Sequence, residues 1–117
     1  MGAAQTIDVG PKPFGIAAGE GAVWVGSNVD STVTRIVPEL LKVVRVISVA
    51  RGTVPSGLYS VAAGAGAVWA LNRDAHEILR IDRGTNRVVK RIKLAVEPHE
   101  LGIDGDRVWV TVGTPGS

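Results

Sequence analysis

The chain carries two histidines, and each is followed by a glutamate: His76-Glu77 and His99-Glu100. Histidine can pass a proton near neutral pH, and a neighbouring carboxylate can orient its ring. His99-Glu100 directly precedes an apolar run that starts at Leu101. These two are the candidates for acid–base chemistry, and the catalytic set is otherwise read as empty. The competing reading of His99 is a residue that caps a turn or fills a channel. His76-Glu77 is expected to lie solvated in a loop leading to a strand. The chain has no cysteine, which removes disulfides, thiolate metal sites and cysteine nucleophiles. No Ser-His-Asp set stands in recognisable context. Gly19-Glu20-Gly21 and Gly64-Ala65-Gly66 are expected to join strand to strand. A phosphate-cradling loop instead needs a helix after it.

The elements that position these residues follow from composition and repetition. The chain has 117 residues, which is one small domain at most. Its hydrophobic content of 45% excludes a disordered chain. No apolar run approaches roughly 18 residues, so no membrane span is expected. Met1-Gly2-Ala3-Ala4-Gln5 shows no basic stretch followed by an apolar one, so no signal peptide is legible.

Trp24, Trp69 and Trp109 stand 45 and 40 residues apart, each inside an Ala-Val-Trp-Val-like run. The match continues without a gap: Arg35-Ile36 falls on Arg80-Ile81, Val43-Val44 on Val88-Val89 and Ile47 on Ile92. Pro13 and Pro98 each precede their tryptophan by eleven residues. Pro55-Ser56-Gly57-Leu58 reads as the middle copy, with three extra residues before its tryptophan. Each repeat resolves into four short strands, A to D. They are expected at 14–18, 22–26, 32–37 and 42–49, then at 61–63, 67–71, 77–82 and 87–94. Strand length, β-branched residues and glycine punctuation agree on this.

Four strands in roughly 40–45 residues mark a β-propeller blade. The segments 13–25, 78–92 and 98–110 resemble repeats of the YVTN and streptogramin-lyase-like (virginiamycin B lyase-like) propellers. The fold class is therefore all-β, built from four-stranded antiparallel blades. The resemblance implies a ligand site at one end of a central channel. It also implies a lyase- or lactonase-like alternative in which histidine and glutamate near the channel assist magnesium-dependent chemistry. Pro98-His99 matches that local motif. The glutamate that the family carries just after the tryptophan strand is absent, because Gly26-Ser27, Leu71-Asn72 and Thr111-Val112 stand there.

The loops leading into A strands and out of B strands line the channel mouth. Their candidate ligand-binding residues are Lys12, Phe14, Asn28, Asp30, Tyr59, Asn72, Arg73, Asp74, His99 and Glu100. No metal site and no cofactor is assigned outside the magnesium alternative. The tryptophans are expected to pack between blades, and Arg35 and Arg80 to serve an adjacent strand or turn. Lys42, Arg45 and Arg51, with Arg87, Lys90, Arg91 and Lys93, make the D strands basic, which blocks edge-to-edge pairing. Nucleic-acid binding would need interleaved aromatics and more than a net +2 charge. Neither a nucleic-acid nor a membrane partner is expected.

The strands divide into an outer strand at 5–9, a blade at 13–50, a blade at 55–95 and an inner hairpin at 98–112. That is under three blades, and an open stack would leave two sheet faces bare. The expected partner is a second copy, two chains making six blades and sharing a blade at each junction. The expected function is a non-catalytic binding or scaffold module for a small molecule, peptide or carbohydrate. The alternatives are the metal-dependent enzyme and a fragment of a longer propeller sensor.

Overall fold

The computed structural model describes residues 13–27, 32–40, 42–49 and 58–113. These residues are all-β, with one 3-10 turn at Pro38–Leu40. The first sheet runs in chain order through β1 (Pro13–Gly19), β2 (Ala22–Ser27), β3 (Thr32–Val37) and β4 (Lys42–Ser48). The second repeats it with β5 (Leu58–Gly64), β6 (Ala67–Asn72), β7 (Glu77–Asp82) and β8 (Arg87–Lys93). The third holds β9 (Pro98–Asp104) and β10 (Arg107–Val112). Every pairing is antiparallel. The proposed strand at 5–9 lies outside the described residues.

The strands follow from local chemistry. β-branched residues alternate with smaller or polar ones, which suits a pleat with two packed faces. Glu20-Gly21 and Ala65-Gly66 join inner strands with positive φ at both residues (50° and 83°, 51° and 80°). That is the backbone of a type I′ hairpin turn, which matches the right-handed twist of its strands.

Two irregularities recur in register. The pairing skips Phe14, Tyr59 and His99 at the start of β1, β5 and β9. It skips Val44 and Val89 in β4 and β8. The first set corrects the expected alignment of the middle copy. Leu58 pairs with Asn72 as Pro13 pairs with Ser27 and Pro98 with Val112. Leu58 also precedes Trp69 by eleven residues, so the copies match without an insertion, and the strand reaches back to Leu58 instead of starting at 61.

Period-2 alternation gives each sheet a forward face bearing its tryptophan and a rear face. Trp24 shares the forward face of the first sheet with Ala17 and Arg35, while Val25 shares the rear face with Ile16 and Thr34. The forward face of one sheet packs on the rear face of the next. Ala22, Trp24, Val33 and Ile47 meet Val61, Val68, Ala70, Leu79 and Ile81 in one core. Leu71 and Ile78, with Trp69, Ile92 and Leu94, meet Leu101, Val108 and Val110 in a second.

The seams are close. A Cβ at Gly64 (φ +152°) would stand 2.8 Å from Ile103 Cγ2, and one at Gly19 (φ +147°) 3.2 Å from Ala63. Both glycines also supply a carbonyl that accepts from the tryptophan five residues on, Trp24 Nε1 at 2.9 Å and Trp69 Nε1 at 3.0 Å. Arg35 lies over the Trp24 ring, and Nη1 donates to the Arg83 carbonyl and Asn86 Oδ1 in the next sheet. Arg35 thus serves an adjacent turn.

Two expectations need correction. Trp109 is 56% exposed instead of packed between blades, because no further sheet covers it among the described residues. Glu77 is not solvated. It opens β7, is buried, and accepts from Arg91 Nη1 at 3.1 Å. Arg91 is correspondingly drawn inward, and its Nη2 donates to the Val49 carbonyl of the first sheet. Lys42, Arg45, Arg87, Lys90 and Lys93 are exposed on the outer strands.

Candidate functional site

The leading ends of the inner strands gather most of the candidates that the structure describes. β5 and β9 begin at the same end at which β6 finishes and the turn 73–76 runs. Each inner strand opens on its bulge, so Phe14, Tyr59 and His99 occupy one equivalent position in three neighbouring sheets. Bulges recur where a strand must re-aim a side chain. Lys12, Asn28, Asp30 and Arg51 lie outside the described residues. For Phe14 and Tyr59 the backbone placement is what the structure gives.

Several candidates are occupied in building this end. Asn72 Oδ1 accepts from the Ala75 amide at 3.0 Å, closing the turn locally. Lys93 Nζ donates to the Ala75 carbonyl, and the Leu94 amide to that of His76. Arg73 Nε donates to Glu97 Oε1 at 2.8 Å, tying the turn to the linker before β9. That bond, followed by the positive charge of Arg73, holds the Glu97 carboxyl below its ordinary pKa of 4.5. Asp74 is exposed.

His99 and Glu100 are adjacent in sequence and turned to different neighbours. Glu100 pairs with Thr111 in register, and its Oε1 accepts from Ser60 Oγ of β5 at 2.6 Å. The Leu101 amide donates to the same oxygen at 3.3 Å. His99 is exposed and lies against Gly113, where a Cβ would come within 3.1 Å of Nε2. No hydrogen bond joins His99 to Glu100 among the described residues. The carboxylate therefore orients a serine on the neighbouring inner strand and not the imidazole. Among the described residues no three His, Asp or Glu side chains gather as metal ligands.

Ser60 is the member of this cluster that sequence reasoning missed. Its signal was present: Ser60 precedes Trp69 by nine residues, as Glu100 precedes Trp109 by nine. The misplaced middle copy hid that correspondence.

No family model matches the chain, and neither does any curated protein. Solved structures do. Kuenenia stuttgartiensis hydrazine synthase superposes with a TM-score of 0.74 at 17% identity, covering 96% of this chain and 32% of that one. KlHsv2 with loop 6CD replaced by a Gly-Ser linker superposes with a TM-score of 0.60 at 10% identity, covering 87% and 33%. The chain thus spans about a third of the length of each. At these identities the likeness is one of fold: an all-β, propeller-like stack of antiparallel sheets.

Proposed function

We propose that the chain is a non-catalytic binding or scaffold module that completes its ring with a second copy, two chains making six propeller blades. Its repeats are read as YVTN or streptogramin-lyase-like. The observation that carries this is the unequal burial of equivalent residues at the two ends of the stack. Ile16, Val61 and Leu101 hold one rear-face position, opposite Val25, Ala70 and Val110. Val61 and Leu101 are 7% and 9% exposed, whereas Ile16 is 73% exposed. On the forward face Trp24 is 0% exposed and Trp109 56%. Elsewhere on the first sheet's rear face Val25, Thr34 and Ile36 are buried, and Val46 is exposed. Among the described residues, Ile16 and Trp109 are thus an exposed rear and an exposed forward position of the type that pair inside the stack. Such a contact is heterologous and closes only as a ring.

Light scattering tests the proposal. The wild-type mass is expected at twice 12.2 kDa. Trp109→Asp and Ile16→Asp each yield monomer, and mixing the two variants restores a dimer through the one remaining intact junction. A wild-type monomer at every concentration overturns self-assembly.

A second reading is a segment of a longer propeller protein. The observation favouring it is the coverage of about a third of both solved chains. A reading frame that continues into further repeats supports it.

A further inference from the structure

Charge is sorted by strand. The outer strands β4 and β8 carry Lys42, Arg45, Arg87, Lys90, Arg91 and Lys93 and no carboxylate. The inner strands β1, β2, β5 and β6 carry no charge at all. Pairing concentrates the charge further. Arg45 stands directly opposite Arg35, and Lys90 directly opposite Arg80. Like charges in that relation weaken a sheet, yet both four-stranded sheets keep it at the same register. Arg35 is committed to the turn between β7 and β8 by its bonds to the Arg83 carbonyl and Asn86. Arg91 spans the seam between the two sheets, held by Glu77 and the Val49 carbonyl, and so takes up the Glu77 carboxylate. Among the described residues, Lys42, Arg45, Arg87 and Lys90 are exposed and form no ion pair.

The bulges add an apolar element to this rim. Val44 and Val89 are skipped by the pairing, and they are 44% and 54% exposed. Each is followed directly by a cation, Arg45 or Lys90. Charge alone is enough to guard an outer strand against pairing, and an exposed valine adds nothing to that guard. A bulge also interrupts the regular ladder. Recognition at this rim therefore runs through side chains and not through an added strand.

We infer that the outer rim formed by β4 and β8 is a docking surface for an acidic peptide segment. Its carboxylates meet Lys42, Arg45, Arg87 and Lys90, and its apolar side chains lie on Val44 and Val89. Charge complementarity names the occupant. Neither outer strand carries an aromatic residue, so a nucleic acid has nothing to stack on. Neither carries the Trp, Phe or Leu that an interfacial element buries in a membrane. The inference gives the proposed binding module a ligand class and rests on that reading. It uses only the two four-stranded sheets of one chain, so peptide binding and ring closure are read by separate measurements.

The test titrates a fluorescent peptide of alternating glutamate and valine with the full chain and reads anisotropy. Saturable binding is expected, weakening several-fold as salt rises from about 0.05 M to about 0.5 M. Arg45→Glu weakens it about ten-fold, because an attraction becomes a repulsion. Val44→Ser combined with Val89→Ser also weakens it, without any change of charge. Arg107→Glu changes net charge as much as Arg45→Glu but lies on β10, and it leaves binding unchanged. A peptide of glutamates alone binds more weakly than the alternating one. A wild-type-like circular dichroism spectrum verifies the fold of each variant. No saturation at millimolar peptide, or equal binding by Arg45→Glu and wild type, overturns the inference. So does an equal loss in Arg107→Glu, or equal affinity for the all-glutamate peptide, since the rim then reads net charge alone. Tighter binding to phosphatidylserine vesicles or to a thymidine oligonucleotide assigns the rim to another occupant and equally overturns it.

Discussion

Trp24 and Trp109 hold one position of the repeat in opposite surroundings, the first with no exposed surface and the second mostly in water. Trp24→Ala removes a buried ring and its bond to the Gly19 carbonyl. We expect a loss of about 3–5 kcal/mol in denaturant unfolding. Trp109→Ala is expected to cost under about 1 kcal/mol in the dilute monomer, its effect appearing in association instead. Titration offers a second test. The Arg73 bond keeps Glu97 ionised below its ordinary pKa. Because the folded value is depressed, the stabilisation is present above the unfolded pKa and is lost as pH falls through the folded one. Between about pH 5 and 3, wild type should therefore lose more thermal stability than Glu97→Gln. At this scale the sequence revealed residue type and phase: the tryptophan frame and the Arg35 position were legible. The inward turn of Arg91 toward buried Glu77 was not. Residues on neighbouring strands come into register through a bulge, and a bulge shifts the alternation from which facing is read.

The strands themselves were largely legible, because glycine-rich turns and β-branched runs leave few alternatives. The middle inner strand departs from the sequence expectation because a proline does not mark its start. The position is set by pairing to β6, and Leu58 fills it as readily as Pro13 or Pro98. What holds neighbouring inner strands together is more demanding. Gly64→Ala brings a Cβ against Ile103 in a backbone region that alanine rarely adopts. A cost of about 1–3 kcal/mol is expected, measured by chemical denaturation. Asp104 holds the equivalent position in β9, since it pairs with Arg107 as Gly64 pairs with Ala67. The third hairpin is therefore adapted differently from the two before it, and a sheet packing on its forward face must sit farther away at that point.

For the molecule as a whole, the repeat count was readable and the closure was not. Strand number follows from periodicity within one chain, whereas closure depends on surfaces whose partners lie elsewhere. If two copies seal each other, the midpoint of thermal unfolding rises with protein concentration, because association stabilises the folded form by mass action. Differential scanning calorimetry over a hundred-fold dilution reads this directly, and an invariant midpoint counts against the ring. The Trp24–Arg35 seam carries a further consequence. Its ring and cation come from one unit, and what they require of the following unit is chiefly small inner residues, an apolar patch and a turn with exposed oxygen atoms. Tandem duplication of a 45-residue stretch of coding sequence would thus deliver a unit whose joint is already compatible on both sides. Growth or shrinkage of such a protein by whole units is a smaller evolutionary step than the invention of any single new joint.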